Sequence, residues 1–157
     1  AEKSGLGFIG QNRCLISPKF GSFVFLGEIL TNIESDYDEP LSQNCLNCGL
    51  CLQNCPTQAL TKDGIDANRC LSYLTIEHKG EIPAEIKSRR GKRIFGCDAC
   101  QDCCPHNSSV PLKTGIIIPE VQNFSLDEIR GMSGKQYQKK FAKSALSRVR
   151  LYLAKKS

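Results

Sequence analysis

Cys45, Cys48, Cys51 and Cys55 fall within eleven residues, with two, two and three residues between them, and Pro56 follows the last. Thiols this close in sequence are poorly placed to bridge one another as disulfides and well placed to share a metal group. Zinc sites draw their thiolates from two separate Cys-x2-Cys knuckles. Three cysteines at successive three-residue steps instead wrap one corner of a [4Fe–4S] cube, and the fourth, before proline, reaches to a second cube. The chemistry is one-electron transfer, and it demands four further thiolates.

Those are present. Cys97, Cys100 and Cys104-Pro105 keep the Cys-x2-Cys start and the Cys-Pro end of the first group but lack its middle cysteine. Cross-over ligation then gives one cube Cys45, Cys48, Cys51 and Cys104. The other takes Cys55, Cys97 and Cys100, with Cys70 as the candidate for its fourth ligand. Cys103 competes with Cys104 for its place. Otherwise Cys14 and Cys103 are left over as small buried residues.

Composition narrows the setting. The chain has 157 residues and 40% apolar content, so cluster ligation is expected to replace part of a core. Cysteines in metal-like groups, with no hydrophobic signal segment at the N-terminus, favour a reducing cytoplasm over a secreted disulfide scaffold. No apolar run approaches the roughly 18 residues of a membrane span. Residues 1–128 carry 12 basic and 16 acidic side chains, whereas residues 129–157 carry nine basic side chains and no acidic one. The chain opens on Ala1, and Ser4-Gly5-Leu6-Gly7 reads like the middle of a domain, so a C-terminal portion of something longer is expected.

The elements that must position the cysteines follow in order. Residues 1–22 form a glycine-punctuated loop. Its Gly5, Gly7 and Gly10 make a Gly-x-Gly-x-x-Gly string, but no strand precedes it and no amphipathic helix follows, as a dinucleotide site requires. Phe23 to Thr31 is β-branched and aromatic and predicts a buried strand. Glu34 to Pro40 is an acidic linker, which sets domain boundaries at 1–40, 41–112 and 113–157. Asp66 is placed to cap a helix over 67–78, with Cys70 in its first turn. Pro83 at the first helical position opens a short helix through Lys87. Ser125-x-x-Glu128 and Ser133-x-x-Gln136 are capping-box patterns. Beyond Ser133, Tyr137, Phe141, Ala145, Val149 and Tyr152 form an apolar helical stripe, while Lys139, Lys140, Lys143 and Arg150 gather opposite. That basic face is either simply solvated or a surface for a polyanion.

Several blocks together resemble the epoxyqueuosine reductase family. They are Gly5 to Asn12, Ile16 to Ser22, Phe25 to Thr31, the first cysteine run, Arg69 to Gly80, and Gly96 to Gln101 continued through Cys104 to Asn107. The likeness is nearly continuous over 5–107 and weaker beyond 108, where 141–145 fit the family's tail. The resemblance implies an α+β chain: a two-[4Fe–4S] ferredoxin-like module joined to part of an N-terminal cobalamin-binding α/β domain, with a basic helical extension. It also implies an oxidoreductase that reduces epoxyqueuosine in tRNA to queuosine, passing electrons from an external low-potential donor through both clusters to cobalamin. A monomer is expected. The family's proton-donating acid lies N-terminal to these residues, so no residue here inherits that role. Positions implied to face cobalamin are Gly5, Gly7, Gly10, Asn12, Ser17, Lys19, Ser22, Tyr73, Thr75, His78 and Lys79, and Lys139, Lys140, Lys143 and Arg150 are the tRNA candidates. Phe8 and His106 stand where the family usually has tryptophan.

Three other readings compete. A corrinoid reductase of a small molecule, like a reductive dehalogenase, shares the clusters and cobalamin but has no use for the basic tail. A plain electron-carrier ferredoxin leaves the glycine-rich start and the Phe23–Thr31 run without purpose. A zinc nucleic-acid module fits the cysteine spacing worst.

Overall fold

Residues 1–108, 110 and 125–149 are described by the computed structural model. They fall in two units, Ala1–Ile65 with Ala99–Leu112, and Asp66–Asp98 with Lys113–Ser157. Among the described residues are strands β1 (Phe8–Ile9) and β2 (Leu15–Ile16). The α-helices are α1 (Leu50–Gln53), α2 (Leu71–Ile76), α3 (Ala84–Arg90), α4 (Ala99–Asp102), α5 (Leu126–Gly131) and α6 (Gly134–Phe141). The fold is thus small, helix-rich and mixed, with a single two-stranded sheet among the described residues. No helix among them is long and apolar enough to cross a membrane.

The first unit is built on a short antiparallel hairpin, Phe8 opposite Ile16 and Ile9 opposite Leu15. A side chain at Gly7 would strike the Ile16 carbonyl, so glycine is what lets the two strands close. Phe8, Leu15, Ile16, Ala59 and Leu60 are buried, a thin core for a unit of this size. The glycine loop therefore opens a hairpin and not a nucleotide-binding helix.

The Phe23–Thr31 strand is not formed. Residues 23–40 run without regular secondary structure, and Phe25, Ile29 and Leu30 are 106%, 91% and 98% exposed. The physical reason is that a strand needs a ladder partner, and none lies beside this run among the described residues.

The second unit has an ordinary hydrocarbon core. Leu71 and Leu74 of α2, Ile82, Ile86 of α3, Ile129 of α5, Tyr137 and Phe141 of α6, and Val149 are packed together out of water. Each fully buried Leu or Ile contributes about 1.5–3 kcal/mol. Tyr137 is wholly buried, and its hydroxyl donates to the Leu146 carbonyl at 2.9 Å, so its polar end costs nothing.

Helix starts here obey local chemistry, with corrections of register. Ser133 closes a complete capping box with Gln136, and Ser125 accepts from the Glu128 N–H at 3.1 Å. Helix α2 begins at Leu71 with Cys70 as its N-cap, because Asp66 spends its carboxylate on the Asn68 N–H in a preceding turn. Pro83 is the cap of α3 and not its first residue, and the helix runs past Lys87 to Arg90. The predicted long basic helix stops at Phe141, and among the described residues beyond it a 3₁₀ turn follows over Ala145–Arg148. Tyr137, Phe141 and Val149 of its stripe are buried, but Ala145 is exposed; Tyr152 lies outside the described residues.

Candidate metal centre

Backbone geometry explains how the first cysteine run turns its thiols to one place. Asn47 (φ 51°) and Gly49 (φ 74°) both have left-handed backbones, which bend the chain between Cys45 and Cys51. Gly49 then starts α1, its carbonyl accepting from the Leu52 and Gln53 amides at 3.1 Å each. Helix α1 packs against α4, and α4 leads into Cys104 and a 3₁₀ turn, Pro105–Asn107.

The result is a pocket within the first unit lined by Cys45, Cys48, Cys51 and Cys104, closed by Leu46, Leu50, Ile16 and Pro105 and by the polar Gln11, Asn12 and His106. These four thiols are the set that cross-over ligation selects for one cube. Among the described residues no three His, Cys, Asp or Glu side chains meet as they would on a single ion. Four thiols around a shared pocket are a donor set for a polynuclear group, in which each iron takes its own thiolate.

Electrostatics point the same way. Burial pushes the Cys51 thiol up, and charge on Cys103 and Cys45 adds to it. Burial also raises Cys104, with Cys45, Cys48 and Cys14 adding, against a hydrogen bond from the His106 backbone N–H. Thiols packed this closely resist ionising together unless cationic iron neutralises them. Cys103 is raised by burial too, and it is near enough to Cys48 and Cys104 for their charges to be felt. Its sulfur faces the Cys100 carbonyl at 3.7 Å, and Cys104 rather than Cys103 lines the pocket.

The remaining candidate ligands are divided between the two units. Cys55, in the first unit, has its thiol lowered. Burial acts to raise it, but amides of Leu60, Ala59 and Thr57 and the Thr57 hydroxyl outweigh that; the Ala59 N–H lies 3.2 Å from the sulfur. Amides aimed at sulfur favour a thiolate. Cys100 is in α4. Cys70 and Cys97 belong to the second unit, Cys70 capping α2 and Cys97 packed on the hydrocarbon core.

The positions implied to face cobalamin are largely committed to the scaffold. A side chain at Gly5 would meet the Glu39 carbonyl at 2.6 Å, and one at Gly10 would meet Ile16. Asn12, buried, donates to the Cys100 carbonyl at 3.3 Å and accepts from the Cys14 N–H at 3.1 Å. The Ser22 hydroxyl bonds Gln101 at 2.8 Å, and Asn107 accepts from the Ser22 N–H at 2.8 Å while donating to the Ser22 hydroxyl and the Gln101 carbonyl. Asn12, Ser22, Gln101 and Asn107 thus brace α4 and the Cys104 turn, a role that sequence reasoning missed. In the second unit the Thr75 hydroxyl donates to the Leu71 carbonyl at 2.7 Å and accepts from the Gly96 N–H at 2.9 Å. Ser17 is paired with Gly21 in an isolated bridge, Lys19 lies over the Phe20 ring, and Tyr73 stands against His78.

Of the basic residues proposed for a polyanion, Lys139 and Lys143 are exposed. Lys140 is instead turned to Glu128 in an ion pair, and Arg150 lies outside the described residues.

Residues 44–107 match a family described as a 4Fe-4S double cluster binding domain. Over 96% of its length the chain is 39% identical to the epoxyqueuosine reductase of Leadbetterella byssophila and 41% identical to that of Atelocyanobacterium thalassa, covering 50% and 52% of those proteins. It is also similar in structure to an epoxyqueuosine reductase solved with a tRNA-TYR epoxyqueuosine-modified tRNA stem loop, with a TM-score of 0.82, 34% identity, and coverage of 99% of this chain and 42% of that one. The chain therefore spans about half the length of the curated relatives it matches.

Proposed function

For a chain homologous over nearly its whole length to half of an epoxyqueuosine reductase, we propose that it is the electron-delivering portion of an enzyme of that kind. The reaction is the reduction of epoxyqueuosine in tRNA to queuosine. The observation that carries this reading is the meeting of Cys45, Cys48, Cys51 and Cys104 on one pocket.

In this reading those four thiolates hold the first cluster, and Cys55, Cys70, Cys97 and Cys100 hold the second, the latter set resting on sequence spacing alone. When bound, the clusters supply single electrons at low potential, and cobalamin supplies the reductant that meets the substrate. What these residues do is hold thiolates apart in a fixed frame, exclude water from Cys51, and point backbone N–H groups at sulfur. The Gly5–Asn12 loop, Ser17, Lys19, Ser22, Tyr73, Thr75, His78 and Lys79 stand as the side facing cobalamin. Because Thr75, Ser22 and Asn12 have their polar atoms engaged, backbone and exposed Lys19 and Tyr73 offer the contacts. Lys139, Lys143 and Arg150 contact tRNA phosphates without reading sequence.

The full-length protein, reconstituted with iron and sulfide and supplied with cobalamin and a low-potential reductant, is expected to convert epoxyqueuosine tRNA. An unchanged substrate overturns the reading. Steep weakening of tRNA binding with salt supports the nucleic-acid substrate; salt-independent binding, or none, points to a small-molecule reductase.

A further inference from the structure

Two residues that line the thiol pocket, His106 and Gln11, each carry a buried side-chain atom with no hydrogen-bond partner in the protein, Nε2 and Oε1. Leaving such an atom unpaired costs about 1–3 kcal/mol, and native interiors keep few of them. The Gln11 oxygen is an acceptor as placed. The His106 nitrogen is different, because an imidazole nitrogen that carries its proton is a donor.

His106 is also fixed in place. Its backbone N–H donates to the Cys104 sulfur, which ties the residue to a thiol of the set. Its ring stands edge-on to buried Phe8, centroids 5.1 Å apart and planes at 68°. Turning the ring would break that packing. His106 lines the thiol pocket, so what the pocket holds is the partner available to Nε2. An iron–sulfur cube offers sulfide and thiolate acceptors there, and reduction makes those sulfurs more negative. A donor aimed at them favours the reduced cluster, and hydrogen bonds to the sulfurs are among the determinants of cluster potential.

We propose that the His106 Nε2–H donates to a sulfur of the cluster held by Cys45, Cys48, Cys51 and Cys104 and raises the potential of that cluster selectively. His106 is then a tuning residue and not a ligand. The proposal rests on the ligand reading given above.

The test is an anaerobic redox titration of the intact reconstituted protein, following both clusters by EPR. His106→Phe keeps a ring against Phe8 and removes the donor. It is expected to retain iron and sulfide at wild-type content and to lower the equilibrium constant for reducing one cluster about tenfold, about 59 mV for one electron. The second cluster is expected to stay put. His106→Gln, which keeps an N–H donor, is expected to recover most of the shift. Coincident titrations for His106→Phe and wild type overturn the proposal, as does an equal shift of both clusters. Should His106→Phe lose iron, His106→Leu is titrated in its place, and loss of iron in both variants overturns it by marking the residue as scaffold. Cys104→Ala separates the underlying reading: if that variant keeps its full iron content, the ligand assignment fails whatever His106 does.

Discussion

The two units are stabilised by different means. Among the described residues the second is a hydrocarbon core: eight buried side chains from α2, α3, α5, α6 and the segments beside them, with Tyr137 and Phe141 in ring contact at 4.8 Å. The described residues of the first include five buried apolar side chains besides Cys51, and its thiol pocket is lined by sulfur and polar groups. Such a unit draws its folding energy from ligation, since metal binding free energy is folding free energy where no preformed site survives unfolding. The lesson is that two parts of one short chain can fail under quite different insults.

The largest expected break in this contrast comes from Cys51→Ala. It is expected to abolish the first cluster, seen as lost iron and visible absorbance, and to open amides 45–55 to hydrogen exchange while amides of α6 keep their protection. In the other direction, Phe141→Ala is expected to cost about 3–5 kcal/mol by urea denaturation. It should leave the iron content of the protein in place. Equal loss of iron in both variants would dissolve the distinction.

Between these lies Asn107→Ala. It removes the bonds from the Ser22 N–H and to the Gln101 carbonyl inside the first unit, at about 1–3 kcal/mol, and should speed release of iron to a chelator. Ser133→Ala removes the capping box of α6 and is expected to cost about 1 kcal/mol, read as a lower urea midpoint. The smallest effect concerns Glu128. A hydrogen bond from Lys140 holds its carboxyl below the ordinary carboxylate range in the folded chain. A depressed carboxyl contributes stability above its unfolded value, and that contribution is lost as pH falls through the lower folded value. Glu128→Gln should therefore be slightly less stable than wild type at neutral pH and indistinguishable from it at strongly acidic pH. A constant offset across that range would show that the pair is not the cause.

What was legible in the sequence was what is local. The Cys45, Cys48, Cys51 spacing is a local pattern, and Ser133 and Gln136 announced their box because the partners sit three residues apart. What was illegible depends on distant partners. The Phe23–Thr31 run has the composition of a strand, but composition does not supply a neighbour. The start of α2 slipped because Asp66 capped a turn instead of the helix. The stripe through Tyr137 and Phe141 kept its period in sequence although the backbone leaves the helix after Phe141. Asn12 and Ser22 looked like cofactor contacts, and only the fold shows them bonded to residues about 80 positions away. Buried Asn and Ser amid glycines are weak signals of such bracing.

The bare segment from Phe23 to Tyr37 has a practical consequence for handling the protein. Phe25, Ile29, Leu30, Ile33 and Tyr37 each present at least three-quarters of their surface to water. The segment's apolar part, Phe23 to Ile33 with Glu28 as the one charge, is a template onto which a second such stretch can zip, beginning an ordered precipitate. A preparation of these 157 residues should accordingly be limited by concentration sooner than by temperature, with Phe25→Lys and Leu30→Lys as the substitutions that keep it clear.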